Sequence, residues 1–238
     1  MPRTLRVTLV THYFPGHRGG VEAVAWEIAS RLASRGEAAV DWYASATDAP
    51  PPAPPGMRCI PVKACNAVER RLGIPFPLWS PAGLARLVRA VRQSDVVHLH
   101  DFLYPANLVA WAAARLARRP LVVTQHIGMI PYRNRALRAL LAAANRILGR
   151  RVLGSAAQVC FVSDVVRQYF SGLVRFRSPP LHLANGVDVA VFRPAGAPER
   201  HELRSRLAAG AGGPLLLFAG RFVERKGLLL LQRLARDL

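Results

Sequence analysis

Short apolar runs alternate along the chain with segments in which apolar residues recur every three or four positions. The runs predict buried strands, and the three-to-four spacing predicts amphipathic helices between them. Strands are predicted at Leu5–Thr11, 40–44, 58–62, 95–101, 121–125 and 159–162. This alternation is typical of a parallel sheet covered by helices. The pattern therefore predicts an α/β fold, a Rossmann-like parallel sheet flanked by helices.

Helices are predicted in the intervening segments, at Val21–Leu32, from Pro81, at 105–118, at 133–151 and from Asp164. The proline-rich stretch 48–56 is a surface loop, and Asn66–Trp79 stays unassigned because it has no clear period. A second domain is predicted at 194–238, after a first domain at 1–193. It contains a helix near Glu199–Ala208, a strand at Leu215 and a last helix from Gly227.

The loop after the first strand ends in Gly19 and Gly20, directly before a helix. Adjacent glycines let a ligand approach the backbone, and the free N–H groups of a helix's first turn bind anions. The alternative is a plain tight turn. Because the spacing is not G-x-G-x-x-G, a nicotinamide or flavin dinucleotide is not predicted.

Three side chains of interest lie at the carboxyl ends of two predicted strands. His100 and Asp101 end one strand, and His126 directly follows the next. Ligands of an open parallel sheet bind beyond the carboxyl ends of its strands. An imidazole there can donate a proton to an oxyanion or polarise a hydroxyl group near neutral pH. We interpret His126 as functional, whereas a structural role is the alternative for His100.

The stretch 215–227 predicts a strand, a loop with two cations and the start of a helix. Arg221 and Lys226 flank this loop, and the first turn of the helix adds free N–H groups. Such an arrangement suits an anion with several oxygens, such as a diphosphate. The alternative is a solvated loop in a very basic protein.

Charge and cysteine content narrow the range of partners. The 33 basic and 14 acidic residues give a formal charge of +19, which favours anionic partners. Nucleic acid is not predicted, because the arginines are spread over the chain and no recognition motif is present. The three cysteines form no C-x-x-C pair, so neither a disulfide framework nor a zinc site is predicted. With no signal peptide and no apolar stretch of about 20 residues, a cytoplasmic location is expected.

Four segments together resemble the motifs of family 4 glycosyltransferases of the GT-B type. They are G-G-V-E at 19–22, D-V-V-H-L-H at 95–100, N-G-V-D with a following F-x-P at 185–194, and G-R-F-V-E-R-K-G at 220–227. The resemblance implies a first domain followed by a truncated second Rossmann-like domain, because the family's paired-glutamate motif is missing. We expect this chain by itself to be inactive or to depend on a partner. Downstream sequence or a second chain is expected to complete the second domain.

The resemblance also implies an activity, the retaining transfer of a sugar from a nucleotide-diphosphate-sugar to a lipid-linked, glycan or small-molecule acceptor. In the family the matching Arg221 and Lys226 bind the donor diphosphate, with Gly19 and Gly20 beside it. The histidine at His126 lines the active site. No metal and no cofactor are expected, since GT-B enzymes generally need none. His100, Asp101 and Glu22 are candidates for the acceptor side or for structural support.

Two alternatives remain open, and the membrane is a further candidate partner. One alternative is a non-catalytic acceptor- or membrane-binding half of a two-chain transferase, and another is a different phosphate-binding Rossmann enzyme. The arginine-rich helix 133–151 predicts either binding to an anionic membrane, on its inner face, or ordinary packing with a solvated side.

Overall fold

The secondary structure follows the alternation that the sequence predicts. The computed structural model describes residues 3–132, 134–207, 215, 217–220 and 227–237. The strands are β1 (Leu5–Val10), β2 (Ala38–Ser45), β3 (Met57–Val62), β4 (Ala64–Cys65), β5 (Leu78–Trp79), β6 (Val96–His100), β7 (Leu121–Gln125), β8 (Gln158–Phe161) and β9 (Leu181–His182). The α-helices are α1 (Gly20–Ser34), α2 (Ala67–Leu72), α3 (Pro81–Gln93), α4 (Pro105–Leu116), α5 (Arg135–Ala144), α6 (Arg150–Ser155), α7 (Asp164–Ser171), α8 (Ala197–Arg206) and α9 (Leu228–Asp237).

Seven of the described strands form one parallel sheet, in the order β3-β2-β1-β6-β7-β8-β9. β1 lies near the centre, where Leu9 is in register with Trp42 of β2 on one side and with His98 of β6 on the other. The strand order reverses there, because β2 and β3 extend to one side of β1 and β6 begins the other side. The predicted Rossmann-like α/β fold is confirmed.

Two apolar clusters, one on each face of the sheet, form the core. On one face Ala25 and Ala29 of α1 pack with Leu9 and Trp42. The alanines let α1 approach the sheet closely. The other cluster is larger and contains Leu87 of α3, central strand residues, and side chains from α4 and α6. Burial on both faces explains why the strands are apolar runs and not alternating sequences.

Two segments differ from the sequence predictions. The unassigned stretch 66–79 contains α2 and β5, and β5 pairs antiparallel with β4. The single helix predicted at 133–151 is instead α5 and α6, joined by a π-helical turn at Asn145–Gly149. Asn145 is fully buried there, and its amide donates to the carbonyl of Gly128 and to the hydroxyl of Tyr169. A buried amide with two acceptors explains why the helix widens at this point.

The chain divides into two compact units, residues 1–185 and 186–238. The described part of the second unit contains α8 and α9. The strand predicted at Leu215 is wrong, because Leu215 and 217–219 have no strand conformation. A strand needs a neighbouring strand to pair its N–H and C=O groups, and the described residues of this unit supply none.

We expect Leu99→Ala to lower the free energy of unfolding by about 2–5 kcal/mol, because it leaves a cavity in the core. Leu99 lies in β6 and is 0% exposed. Leu116→Ala is the matched control, since Leu116 at the end of α4 is 83% exposed, and it should change stability by less than about 0.5 kcal/mol. Urea denaturation measures both variants. Equal losses would contradict the assigned core.

Candidate functional site

The site lies at the carboxyl edge of the sheet, where β1, β6 and β7 end side by side. β6 pairs with both β1 and β7, so the segments after these three strands are neighbours. Because the strand order reverses between β1 and β6, the connections leave this edge in opposite directions. Such a switch point leaves a crevice that ligands of open α/β sheets occupy.

The loop after β1 holds its glycines in a defined conformation. A 3₁₀ turn at Pro15–His17 precedes Arg18, which is left-handed with φ 58°. Gly19 is extended and caps α1. A Cβ atom at Gly19 would lie 2.0 Å from the Glu22 carboxylate, whereas one at Gly20 would meet nothing within 4 Å. Packing therefore requires a glycine at position 19 only, and the space beside the Cα of Gly20 is open.

Glu22 is paired with a histidine at the end of β1. Its Oε1 lies 3.0 Å from His12 Nε2, with side-chain exposures of 2% and 5%. The His12 ring also stacks on Tyr104. Burial alone would raise the pKa of Glu22, but the hydrogen bond and charge of His12 lower it below its usual value. Glu22 is thus a buried, ionised support for the loop and not an exposed group.

His126 is bound to His100 at the end of the neighbouring strand. His100 Nδ1 lies 2.9 Å from His126 Nε2. His100 is fully buried and His126 is half-buried. Burial lowers the pKa of both rings, for His126 against the opposing charges of Asp101 and Glu22. Both rings are therefore neutral at pH 7, and one ring donates a hydrogen bond to the other. His100 makes no bond to Nδ1 of His126.

Asp101 fixes the backbone that carries His126. Its Oδ1 accepts hydrogen bonds from the N–H groups of His126 at 2.8 Å and Ile127 at 3.1 Å. Burial raises its pKa, although the neighbouring His126 ring and these N–H donors oppose the rise. Asp101 is left-handed with φ 58°, a conformation that aspartate tolerates better than most residues. Asn107 stabilises this turn by donating to the carbonyl oxygens of His100 and Asp101.

The structure thus brings five predicted residues of the first unit to one edge, namely Gly19, Gly20, His100, Asp101 and His126, with Glu22 beneath the loop. Arg221 and Lys226 lie outside the described residues. Sequence reasoning missed His12, although His12 directly follows β1 as His126 follows β7. The same strand-end criterion finds it.

Metal-binding clusters and cavities are the other features of the molecule that bear on ligand binding. The described residues contain no group of three or more His, Cys, Asp or Glu side chains that could hold a metal ion. A cavity of about 660 Å³ lies at the opposite edge of the sheet, lined by the beginnings of β1, β2 and β3 and by Arg86 and Arg89 of α3. It is separate from the histidine-containing edge, because it meets the other ends of the strands.

The sequence matches known proteins over most of its length. A family described as Glycosyltransferase Family 4 matches residues 18–191. The chain is 32% identical to D-inositol 3-phosphate glycosyltransferase of Xylanimonas cellulosilytica, over 89% of this chain and 54% of that protein. It is 29% identical to a GDP-mannose-dependent α-(1-6)-phosphatidylinositol monomannoside mannosyltransferase of Mycobacterium tuberculosis, over 93% and 54%. The chain spans about half the length of these relatives.

Solved structures share the fold. Sucrose-phosphate synthase of Thermosynechococcus elongatus superposes with a TM-score of 0.70 at 18% identity, covering 99% of this chain and 60% of that one. HepE of Anabaena, solved in complex with UDP-glucose, gives 0.53 at 18% identity, covering 86% and 50%. At these identities the likeness supports the architecture alone.

The two neutral histidines predict a loss of stability in acid. Their pKa values are lower in the folded than in the unfolded protein, so the unfolded chain binds more protons below about pH 6.5. The free energy of unfolding therefore falls as the pH drops from 7 to 5. We expect His100→Phe to be less stable at pH 7 but to lose about 2 kcal/mol less over this range. Urea unfolding at each pH measures this.

His201→Phe is the control, because His201 is exposed on α8. It should keep the pH dependence of the parent protein. A His100→Phe curve parallel to that of the parent would show that His100 is not held neutral.

Proposed function

Because the chain belongs to glycosyltransferase family 4, we propose that it is the acceptor-side domain and the beginning of the donor-binding domain of a retaining glycosyltransferase. The enzyme moves a sugar from a nucleotide-diphosphate-sugar to a hydroxyl group of an acceptor. It is a hexosyltransferase of the cytoplasm.

One observation carries this proposal, the convergence of the glycine loop and His126 at the switch point of the sheet. Gly20 begins α1 with open space beside its Cα, and the first turn of a helix carries free N–H groups that bind anions. Glu22 and His12, at either end of the loop, are close enough to His126 to influence its pKa. A phosphate group at the loop therefore lies near a neutral imidazole.

Sugar transfer requires stabilisation of the negative charge that develops on the departing diphosphate. The helix N-terminus at Gly19 and Gly20 supplies fixed N–H donors for this charge. Arg221 and Lys226 add full positive charges. His126 is neutral, held by His100 and by Asp101, and its role is to orient and polarise the acceptor hydroxyl. A phosphate oxygen of the donor takes the proton, and no metal ion takes part.

The names of the curated relatives indicate which substrates to test first. One name contains D-inositol 3-phosphate, and the other contains phosphatidylinositol monomannoside and GDP-mannose. The related fold of HepE was solved with UDP-glucose. An inositol phosphate and the two sugar nucleotides therefore form the first assay set.

Arg221→Ala and Lys226→Ala are each expected to weaken donor binding by about 1.5–3 kcal/mol, because each removes a charge-assisted hydrogen bond. Calorimetric titration of the protein with UDP- and GDP-sugars measures the donor affinity. Arg225→Ala is the matched control, since it removes a charge from the same sequence segment at a position outside the motif. Donor affinity that is unchanged in both motif variants, or lowered equally in all three, would contradict the proposal.

We further propose that α5 binds an anionic membrane surface. No side chain of α5 is buried, and Leu140 is 66% exposed. Arg135 and Arg138 are exposed on the same helix. An apolar stripe flanked by arginines suits the boundary between lipid head groups and acyl chains. Among the described residues, no helix is long and apolar enough to cross a bilayer, so the proposed association is peripheral, on the inner face.

We expect the protein to sediment with vesicles that contain an anionic lipid, and less so with rising salt. Arg135→Gln and Arg138→Gln should each lower the partition coefficient about fivefold, and Leu140→Ser should lower it further. Leu116→Ser is the control, because Leu116 is even more exposed than Leu140 but lies on α4. Absence of binding at low salt would rule out the membrane proposal and leave the transferase proposal intact.

A further inference from the structure

A second group of ionisable side chains lies outside the residues assigned to the site. The His17 ring is held between two carboxylates, with Nδ1 at 2.9 Å from Asp48 Oδ2 and Nε2 at 2.9 Å from Glu69 Oε1. Tyr13 stacks on the ring at 3.8 Å and donates its hydroxyl to Glu69 Oε2 at 2.6 Å. The three charged side chains are only 17–26% exposed. We call these four residues the His17 clamp.

The two hydrogen bonds of the His17 ring together require two N–H donors. A carboxylate oxygen only accepts hydrogen bonds, and a neutral imidazole has a single N–H. Both bonds can therefore exist together only when the ring is an imidazolium. Tyr13 remains a donor, because burial and the neighbouring Glu69 raise its pKa. Deprotonation of the ring would remove one of the two bonds and leave a carboxylate without its charged partner.

The His17 clamp connects three separate segments of the first unit. His17 ends the 3₁₀ turn of the glycine loop, Asp48 lies in the loop after β2, and Glu69 lies on α2. Arg18 follows His17 immediately and has the left-handed conformation. For a residue other than glycine, this conformation persists only when its surroundings hold it. The clamp holds the backbone on one side of Arg18, and α1 holds it on the other, at Gly19.

We propose that the His17 clamp is a proton-dependent positioning element for the Gly19–Gly20 loop. His17 makes no contact with donor or acceptor in this account. It sets the path of the backbone from Pro15 to Gly20 and thereby the direction of the first amides of α1. The consequence for donor binding rests on the proposed function, whereas the effect of protonation on the loop does not.

The groups that face His17 determine the sign of the effect. Asp48 and Glu69 bind the ring directly, and Tyr13 covers one face of it. Glu22 of α1 lies close enough for the charge of His17 to lower its pKa. Because the facing charges are negative, the protonated ring is the one that holds the loop. The loop is released as the pH rises and the ring becomes neutral.

The first test uses the unmodified protein and no donor. Nitrogen-15 shifts of the His17 ring are followed by NMR between pH 5 and 9, together with the amide shifts of Gly19 and Gly20. We expect both ring nitrogens to be protonated at pH 6. The two glycine amides should shift with the same midpoint as the ring. A ring that is neutral at pH 6, or glycine amides that do not follow it, would overturn the proposal.

The second test uses variants of the clamp. Glu69→Gln keeps a side chain of the same size but removes the negative charge that faces the ring, so the response of both glycine amides should move to lower pH. His17→Phe keeps the stack on Tyr13 but removes both hydrogen bonds. It should lower the Tm by about 5–10 °C at pH 6 and by much less at pH 9.

His182→Phe is the matched control, because His182 also pairs with an aspartate, Asp164, but lies on β9 at the edge of the sheet. It should leave the Gly19 and Gly20 amides unchanged. Glycine shifts that respond equally to both histidine variants would contradict the assigned role. Donor titration of the same variants is scored separately, so a protein that shows the loop response but binds no sugar nucleotide would refute the transferase proposal alone.

Discussion

The reversal of strand order between β1 and β6 is the constraint on which the site depends. Parallel strands are joined by long crossover connections, which cover both faces of the sheet. Where two neighbouring connections leave in opposite directions, the carboxyl edge of the sheet stays open. Here the diverging connections begin with the glycine loop on one side and with His100–Asp101 on the other. The open carboxyl edge is thus a consequence of topology, and the side chains at the strand ends decide its chemistry.

The chemistry at this edge comes from polar groups that the fold has taken out of water. His100, Asp101 and Glu22 are almost completely buried, and each is bound to another polar group of the site. Burying such groups is costly unless they are paired. The pairing also limits movement, because His126 is held through its ring by His100 and through its backbone by Asp101. A neutral, fixed imidazole at the carboxyl edge of the sheet results.

Much of the fold could be predicted from the sequence, because local pattern and burial agree. The strands are apolar runs buried on both faces, and His126 was found because it directly follows one of them. The stretch 66–79 could not be assigned, since its short helix and hairpin depend on tertiary contacts such as the bonds of Glu69. The π turn at Asn145 depends on acceptors at Gly128 and Tyr169, which no local pattern reveals. The strand predicted at Leu215 failed because an apolar run alone does not supply a partner strand.

The side-chain pairs of the site were harder to predict than its positions. His12 and Glu22 are ten residues apart, and His17 meets partners 31 and 52 residues away. A sequence indicates that such residues are polar and near strand ends, but not which of them meet. Arg221 and Lys226 lie outside the described residues, so their assignment stays a prediction from the sequence motif.

Locating the binding site of a nucleoside diphosphate tests most directly whether the donor binds at the Gly19–Gly20 loop beside His126. Isotope-labelled protein is titrated with UDP or GDP, and the NMR resonances of Gly19, Gly20 and His126 are followed. We expect these three resonances to shift together along one binding curve, while the amide resonances of Arg86 and Arg89 at the opposite edge stay unchanged. Binding that leaves Gly19, Gly20 and His126 unchanged would contradict it.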